Sequence, residues 1–317
     1  MTLSPVIEKL PVLVLNPHNR CNCRCVMCDI WKRDTAQEIT RPQLEAELKS
    51  IEGLGVEWVV FTGGEALMHS DLHSLCVPLR ERGIRLTLLS SGLLLERYAP
   101  QIIEDFDDLI VSLDGPAPVH DRIRRIHRAF DRLRCGIECL RALRTEFPIA
   151  ARCTVQRENA AALLDTWRAA HGLGLNSISY LAADLTSDAF NRRPATKPDV
   201  APDPTLLNEE INRLIDTGEC GGFIAETSAK LLRIARHFCG EFESPVCNAP
   251  WVSAVIEADG AVRPCFFQPA IGRLTSGTTL RDVLNGPQAI AFRQQLDIAT
   301  NPICRRCVCS LNKRPAA

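Results

Sequence analysis

The chain has 317 residues and a mass of 35.1 kDa, enough for one or two domains with a sizeable core. Its 37 Lys plus Arg against 38 Asp plus Glu leave a formal charge of -1, so no global field draws it to nucleic acid or to an anionic membrane. It is 46% hydrophobic and 24% charged, with no apolar run near the ~20 residues of a membrane span and no signal-peptide pattern. These features argue against disorder, membrane transport and secretion, and a cytoplasmic protein is expected.

In chain order, short β-rich apolar runs fall at 12–15, 56–61, 85–89, 109–113, 149–155 and 177–181. Helical patterns separate them. Leu44, Leu48, Ile51 and Leu54 share one helical face, as do Leu72, Cys76 and Leu79 before a stop at Gly83. Residues 130–143 and 160–170 form longer helical stretches. Strand–helix alternation implies parallel strands with helical crossovers, in a doubly wound sheet or an incomplete barrel; periodicity does not choose between them. Residues 188–204, with Pro194, Pro198, Pro202 and Pro204 among Arg192, Arg193 and Lys197, read as a loop or linker. Helical patterns return at 206–215 and 227–237. A hairpin is then expected from 252–257 and 262–267, turning at Asp259 and Gly260 with both residues at positive φ. Residues 279–284 and 288–296 look helical.

Fifteen cysteines are too many for an ordinary chain of this kind, and they crowd its two ends. Cys21, Cys23, Cys25 and Cys28 share one segment; Cys247, Cys265, Cys304, Cys307 and Cys309 fall in the last quarter. Without secretion signals such clusters read as metal ligands rather than disulfides. Cys76, Cys135, Cys139, Cys153, Cys220 and Cys239 lie between and are read as small buried hydrophobes.

Cys21, Cys25 and Cys28 form C-x3-C-x2-C directly after the first strand run. Three thiolates from one loop can hold three irons of a cubane and leave the fourth open to a small molecule. The competing reading is zinc, which in structural sites wants four protein ligands. Cys23 would be the fourth, but it stands only two residues from both neighbours and is read as a non-ligand.

The spacing resembles that of the radical S-adenosylmethionine (SAM) superfamily. The resemblance implies a [4Fe-4S] cluster on Cys21, Cys25 and Cys28, with the SAM amino and carboxylate groups on the open iron and Met27 near the adenine. Further matches stand at the ends of the next strand runs. Gly63, Gly64 and Glu65 resemble the motif for the SAM amino group. Ser91 stands where the family often has Asn. Ser112 and Asp114 match polar positions near the ribose or carboxylate of SAM. Thr154 and Gln156 are weaker candidates for the same site. His120 to Arg124 resembles a helix start in relatives with a C-terminal cluster domain. Together these imply a partial (β/α)6 TIM-like barrel whose site lies at the carboxyl ends of the strands.

At the other end, Cys247 and Cys265 can meet across the hairpin, and Cys304 and Cys307 supply a CxxC pair. Four thiolates suit zinc or a fully ligated [4Fe-4S] cluster equally. The resemblance here is to the SPASM/twitch domains of radical SAM enzymes, in the shorter single-cluster form. It implies a radical SAM core over 1–220 and, over 221–317, a small hairpin-plus-helix domain binding an auxiliary [4Fe-4S] cluster. Cys309 is left as a competing ligand, a free thiol, or a redox or hydrogen-donating thiol.

The family's chemistry implies reductive cleavage of SAM to a 5′-deoxyadenosyl radical and hydrogen abstraction from a substrate. The auxiliary cluster would accept an electron, and a flavodoxin or ferredoxin would act as reducing partner. Only 20 residues precede Cys21, leaving no room for a peptide-binding domain in cis, so a small alcohol, aminocyclitol or sugar-like substrate is expected, oxidised or epimerised. Asp184 and Arg192, with Arg193, follow the sixth strand run as substrate-side candidates, beside Cys309. The alternatives are a maturase of a ribosomal peptide, a cofactor-biosynthesis enzyme whose auxiliary cluster keeps an open position, and a non-enzymatic zinc-binding protein.

Overall fold

Six four- to seven-residue apolar segments form the parallel strands β1 (Val12–Leu15), β2 (Trp58–Phe61), β3 (Arg85–Ser90), β4 (Asp108–Ser112), β5 (Ile149–Val155) and β6 (Ser177–Ala182). The protein is described by a computed structural model over residues 3–33, 35–185, 187, 189–191, 200–217, 222–243, 245–307, 309 and 311–313. The crossovers are α1 (Arg41–Gly53), α2 (Leu72–Arg80), α3 (Leu95–Asp105), the pair α4 (Ala117–Arg124) and α5 (Ala129–Leu143), and α6 (Leu163–Gly172). The strands pair in sequence order, β1 to β6, without a reversal. A doubly wound sheet would reverse at a switch point, so the arrangement is barrel-like. It is open, because β1 and β6 do not pair.

Burial alternates along the strands. On β5, Ile149, Ala151, Cys153 and Val155 are buried, while Ala150, Arg152 and Thr154 are half-exposed on the opposite face. The buried face meets the helices in one continuous core; the other looks into the barrel.

Two helices, α7 (Pro204–Asp216) and α8 (Ser228–Phe238), pack on each other, on α6 and on β6. Then α9 (Ala249–Val252) leads into β7 (Ser253–Ile256), which pairs in parallel with β1 over its whole length. β8 (Ala261–Arg263) and β9 (Gly272–Arg273) complete a nine-stranded sheet. Three short helices follow: α10 (Leu280–Asn285), α11 (Pro287–Gln295) and α12 (Pro302–Arg305).

Several expectations are corrected. The second hairpin strand ends at Arg263 rather than 267, because Pro264 has no N–H to donate and the chain turns towards Cys265. In the turn only Gly260 has positive φ, at 82°. Gly260 N–H donates to Glu257 O at 2.8 Å and Glu257 N–H to Ala261 O at 2.9 Å, a three-residue loop with glycine in the left-handed position. Of the six scattered cysteines, Cys76 and Cys153 are buried, Cys135 and Cys139 on α5 are half-buried, and Cys239, capping α8, is exposed. Cys220 lies outside the described residues. Among the described residues no helix is long and apolar enough to cross a membrane.

Candidate functional site

The carboxyl ends of the core strands open on a cavity of about 210 Å³. Cys21, Cys25 and Cys28 line one side of it. Gly63 and Gly64, Ser91, Ser112 and Thr154 line the rest of the barrel mouth, with Met27 beside the thiols. Asp184 follows β6 into the wall, and Cys309 reaches it from the carboxyl-terminal segment. Arg192 and Arg193 lie outside the described residues.

The glycines are there for space. A Cβ on Gly64 would stand 1.8 Å from the carbonyl oxygen of Arg20, so the β2 loop touches the cysteine loop backbone to backbone. The Glu65 N–H donates to that same oxygen at 2.9 Å. Gly63 has φ +101°, a conformation a side chain would strain.

Two predicted binding residues sit behind the wall rather than in it. Glu65 is fully buried and its carboxylate accepts Ser90 Oγ at 2.9 Å and the Ser91 N–H at 2.7 Å. Burial raises its pKa, and these donors oppose the rise. It therefore pins the end of β3 beneath the cavity, while Gly63 and Gly64 line it. Asp114, also fully buried, pairs with Arg124 Nη2 at 2.5 Å and accepts the Thr154 N–H at 2.9 Å. Gln156 is likewise buried, its amide donating to Met27 Sδ at 3.5 Å, and so orients the methionine.

Arg124, which the sequence places only in a helix start over 120–124, is instead the last residue of α4. It is a buried cation whose Nη1 donates to Cys25 Sγ at 3.5 Å. Burial opposes its charge, but Asp114 and then Cys25 and Cys23 more than offset this and hold it protonated. Arg152, facing the cavity from β5, was missed. The available signal was period-two alternation, which puts Arg152 and Thr154 on one face of an otherwise apolar strand. Arg152 and Ser112 together offer a cation and a hydroxyl to an anionic group. Cys23 also faces the cavity, its thiol pushed up to about 12, chiefly by a hydrogen bond with Cys21.

At the other end, the four predicted thiols influence one another. Burial raises Cys265 to about 11, with Cys304 and Cys247 adding to the rise. Burial also raises Cys304, with Cys247 adding. Three of the four sulfurs already accept N–H groups: Cys247 from Ala249 at 3.5 Å, Cys304 from the Gln268 amide at 3.2 Å, and Cys265 from the backbone of Phe267 and Gln268. The Cys307 thiol donates to the Cys309 carbonyl at 2.7 Å. Gln268, 2% exposed, was not foreseen; it lies three residues past Cys265, where the strand pattern breaks.

Both donor sets suit iron–sulfur clusters. Each is made of thiols, and hydrogen bonds to the sulfurs are a recognised control on such centres. Among the described residues no three His, Cys, Asp or Glu side chains converge on the position of a single metal ion. A cubane spaces its thiolates further apart than one ion does, since each holds a different iron.

Comparison with known proteins agrees with this arrangement. The family model of the Radical SAM superfamily matches residues 15–167, and that of the SPASM iron-sulfur cluster-binding domain matches residues 247–308. A Methanosarcina barkeri AdoMet-dependent heme synthase is 30% identical over 162 residues, covering 49% of this chain and 45% of the relative. Fe-coproporphyrin III synthase of the same organism is 28% identical over 156 residues, covering 48% of this chain and 39% of the relative. The chain thus spans less than half the length of these two relatives. Streptococcus suis SuiB bound to S-adenosylmethionine superposes with a TM-score of 0.69 at 15% identity, over 96% of this chain and 73% of that one. Native anSMEcpe with bound AdoMet gives 0.70 at 17% identity, over 93% and 86%. The first domain takes SAM and a [4Fe-4S] cluster, and the second takes auxiliary iron–sulfur. The chain belongs to the radical SAM superfamily and carries a carboxyl-terminal SPASM iron–sulfur domain.

Proposed function

We propose that this enzyme abstracts a hydrogen atom from a small molecule and oxidises it, with the auxiliary cluster as electron acceptor. The observation that carries this reading is the shared cavity: Cys21, Cys25 and Cys28 on one wall, Arg152, Asp184 and Cys309 on the others. Bound there, the cluster would supply one electron to the sulfonium of SAM, splitting it to methionine and a 5′-deoxyadenosyl radical. Cys21, Cys25 and Cys28 would hold that cluster, and Cys247, Cys265, Cys304 and Cys307 the second. Gly63 and Gly64 leave room for the methionine end of SAM, and Arg152 with Ser112 neutralises its carboxylate. Met27, steadied by Gln156, packs against the adenine. Asp184, 6% exposed and bonded to Ser187, is held ready to accept a substrate hydroxyl or amine. Phe267 and Cys309, from the SPASM segment, cover part of the cavity.

The sequence relatives, a heme synthase and an Fe-coproporphyrin III synthase, favour a small molecule; SuiB, also solved bound to its precursor peptide SuiA, shares the fold at only 14–15% identity. Cys309 favours a second outcome at the same site. Its S–H could return a hydrogen atom to the substrate carbon from a different wall, giving epimerisation. An electron and a proton must then restore the thiol.

The test is to supply candidate deuterated metabolites under strong reductant and find which one passes deuterium to 5′-deoxyadenosine. Cys25→Ala must abolish 5′-deoxyadenosine altogether; persistent turnover removes the cluster assignment. Cys309→Ser separates the two outcomes, because it should spare oxidation and stop epimerisation.

A further inference from the structure

The outer side of the cluster loop is as distinctive as the inner one. The Trp31 Nε1–H donates to the carbonyl oxygen of Cys28 at 3.0 Å, so an indole is wired to a cluster-ligand residue. The ring is half-buried, and two cations flank it: the Arg24 guanidinium lies 5.8 Å and the Lys32 ammonium 5.3 Å from its centre. The same loop is laced to the end of α4. Arg24 N–H donates to Arg124 O at 3.2 Å, and Val26 N–H to Ile123 O at 3.0 Å. That pairing sets Arg24 next to Arg125, and both are exposed with no carboxylate partner among the described residues.

Arg125 is at φ 54°, in the left-handed region that glycine or asparagine occupies at lower cost. Its carbonyl and amide would serve equally well with glycine in its place, so what the position gains is the guanidinium. Nearby acids are already engaged: Asp29 with Lys32, Glu158 with Arg122, and the Asp121 carboxylate with the Phe130 N–H. On a chain of formal charge -1, this is a local surplus of positive charge placed over the amino-terminal cluster site.

We propose that this face, centred on Trp31 with Arg24 and Arg125 at its rim, is the docking site of an acidic flavodoxin-type electron carrier. The proposal rests on the radical SAM reading of the cavity behind it. The charges are complementary to an acidic partner, and such charges steer encounter. The flat indole suits the apolar edge of a protein-bound flavin. In the docked complex one electron passes from the reduced flavin to the oxidised cluster; the carrier is oxidised by one electron and no bond is made.

The experiment uses the cluster-loaded enzyme and the variant Arg24→Glu/Arg125→Glu. 5′-Deoxyadenosine formation from SAM is driven in one arm by dithionite and in the other by flavodoxin with its reductase and NADPH. The expected result is dithionite-driven turnover within twofold of wild type. In the flavodoxin arm the KM for carrier should rise at least tenfold at low salt, and the steep salt dependence of the wild type should disappear. Unchanged flavodoxin kinetics overturn the proposal. So does an equal loss in both arms, which would place these arginines in the fold or cluster site. Wild-type turnover with an acidic ferredoxin but not with flavodoxin also overturns it. No dithionite-driven cleavage by the wild type would instead remove the underlying enzyme reading.

Discussion

Replacing Arg124 by Gln strands a carboxylate. Asp114 has no exposed side-chain surface, and the substitution removes the Arg124 contact at 2.5 Å, leaving the Thr154 N–H at 2.9 Å. Breaking a buried ion pair from one side costs about 3–5 kcal/mol, because the remaining charge is neither solvated nor matched. Against a typical stability of about 5–15 kcal/mol that is a large share. In thermal denaturation of the cluster-loaded protein it corresponds to a Tm drop on the order of 10 °C. Asp114→Asn alone should also be costly, since Arg124 Nε already lacks a partner and the cation would stand unmatched. Combining Arg124→Gln with Asp114→Asn removes both charges, so the double variant should be more stable than the sum of the singles implies, by about 1–3 kcal/mol. Additive effects, or a Tm unchanged by Arg124→Gln, would refute the reasoning that this pair locks the cysteine loop to β4 and β5.

Burial lowers the pKa of His120 to about 3. The unfolded chain, titrating near 6.5, therefore binds the proton first, and stability is lost as pH falls below ~6.5, by about 1.4 kcal/mol per unit until the folded value is approached. His120→Asn should flatten that acid limb in denaturation measured from pH 7 to 5; an unchanged slope would assign the acid sensitivity elsewhere. Gly64→Ala forces Cβ into the Arg20 carbonyl, so iron and sulfide retained after reconstitution should fall together with Tm, by overpacking worth about 1–3 kcal/mol; normal iron content would show that the two loops can separate freely. Cys307→Ala should cost the auxiliary iron while leaving the SAM-responsive EPR signal of the first cluster. Full iron retention would point to an auxiliary centre needing only three of the predicted thiolates.

The sequence carried the two cysteine groups and all six core strands, because ligand chemistry is written in residue type and spacing, and apolar runs announce a buried parallel sheet. What it could not show depends on how distant segments meet. Arg124 reads as one more basic residue at a helix end until α4 is folded over the cysteine loop. The hydrogen bonds from Ser90 and Ser91 to the buried Glu65 carboxylate join the β2 loop to the end of β3, a contact the Gly63-Gly64-Glu65 motif does not announce. Helix α3 was concealed by Pro100 within it, a residue that normally interrupts such a pattern. The Asp259 and Gly260 turn was recognised, but its geometry depends on loop length, which the dipeptide does not state.

The pairing of β7 with β1 has a consequence for how the chain is made. β1 is synthesised long before β7, so one of its edges has no partner until residues 253–256 follow. During translation that ribbon of valine and leucine presents unsatisfied amides and carbonyls to anything nearby, which makes the nascent barrel most vulnerable to misassociation at its first strand. Once the late strand docks, the two iron-binding regions are joined through a continuous ladder rather than a tether. Neither can swing away from the other without tearing hydrogen bonds out of the sheet.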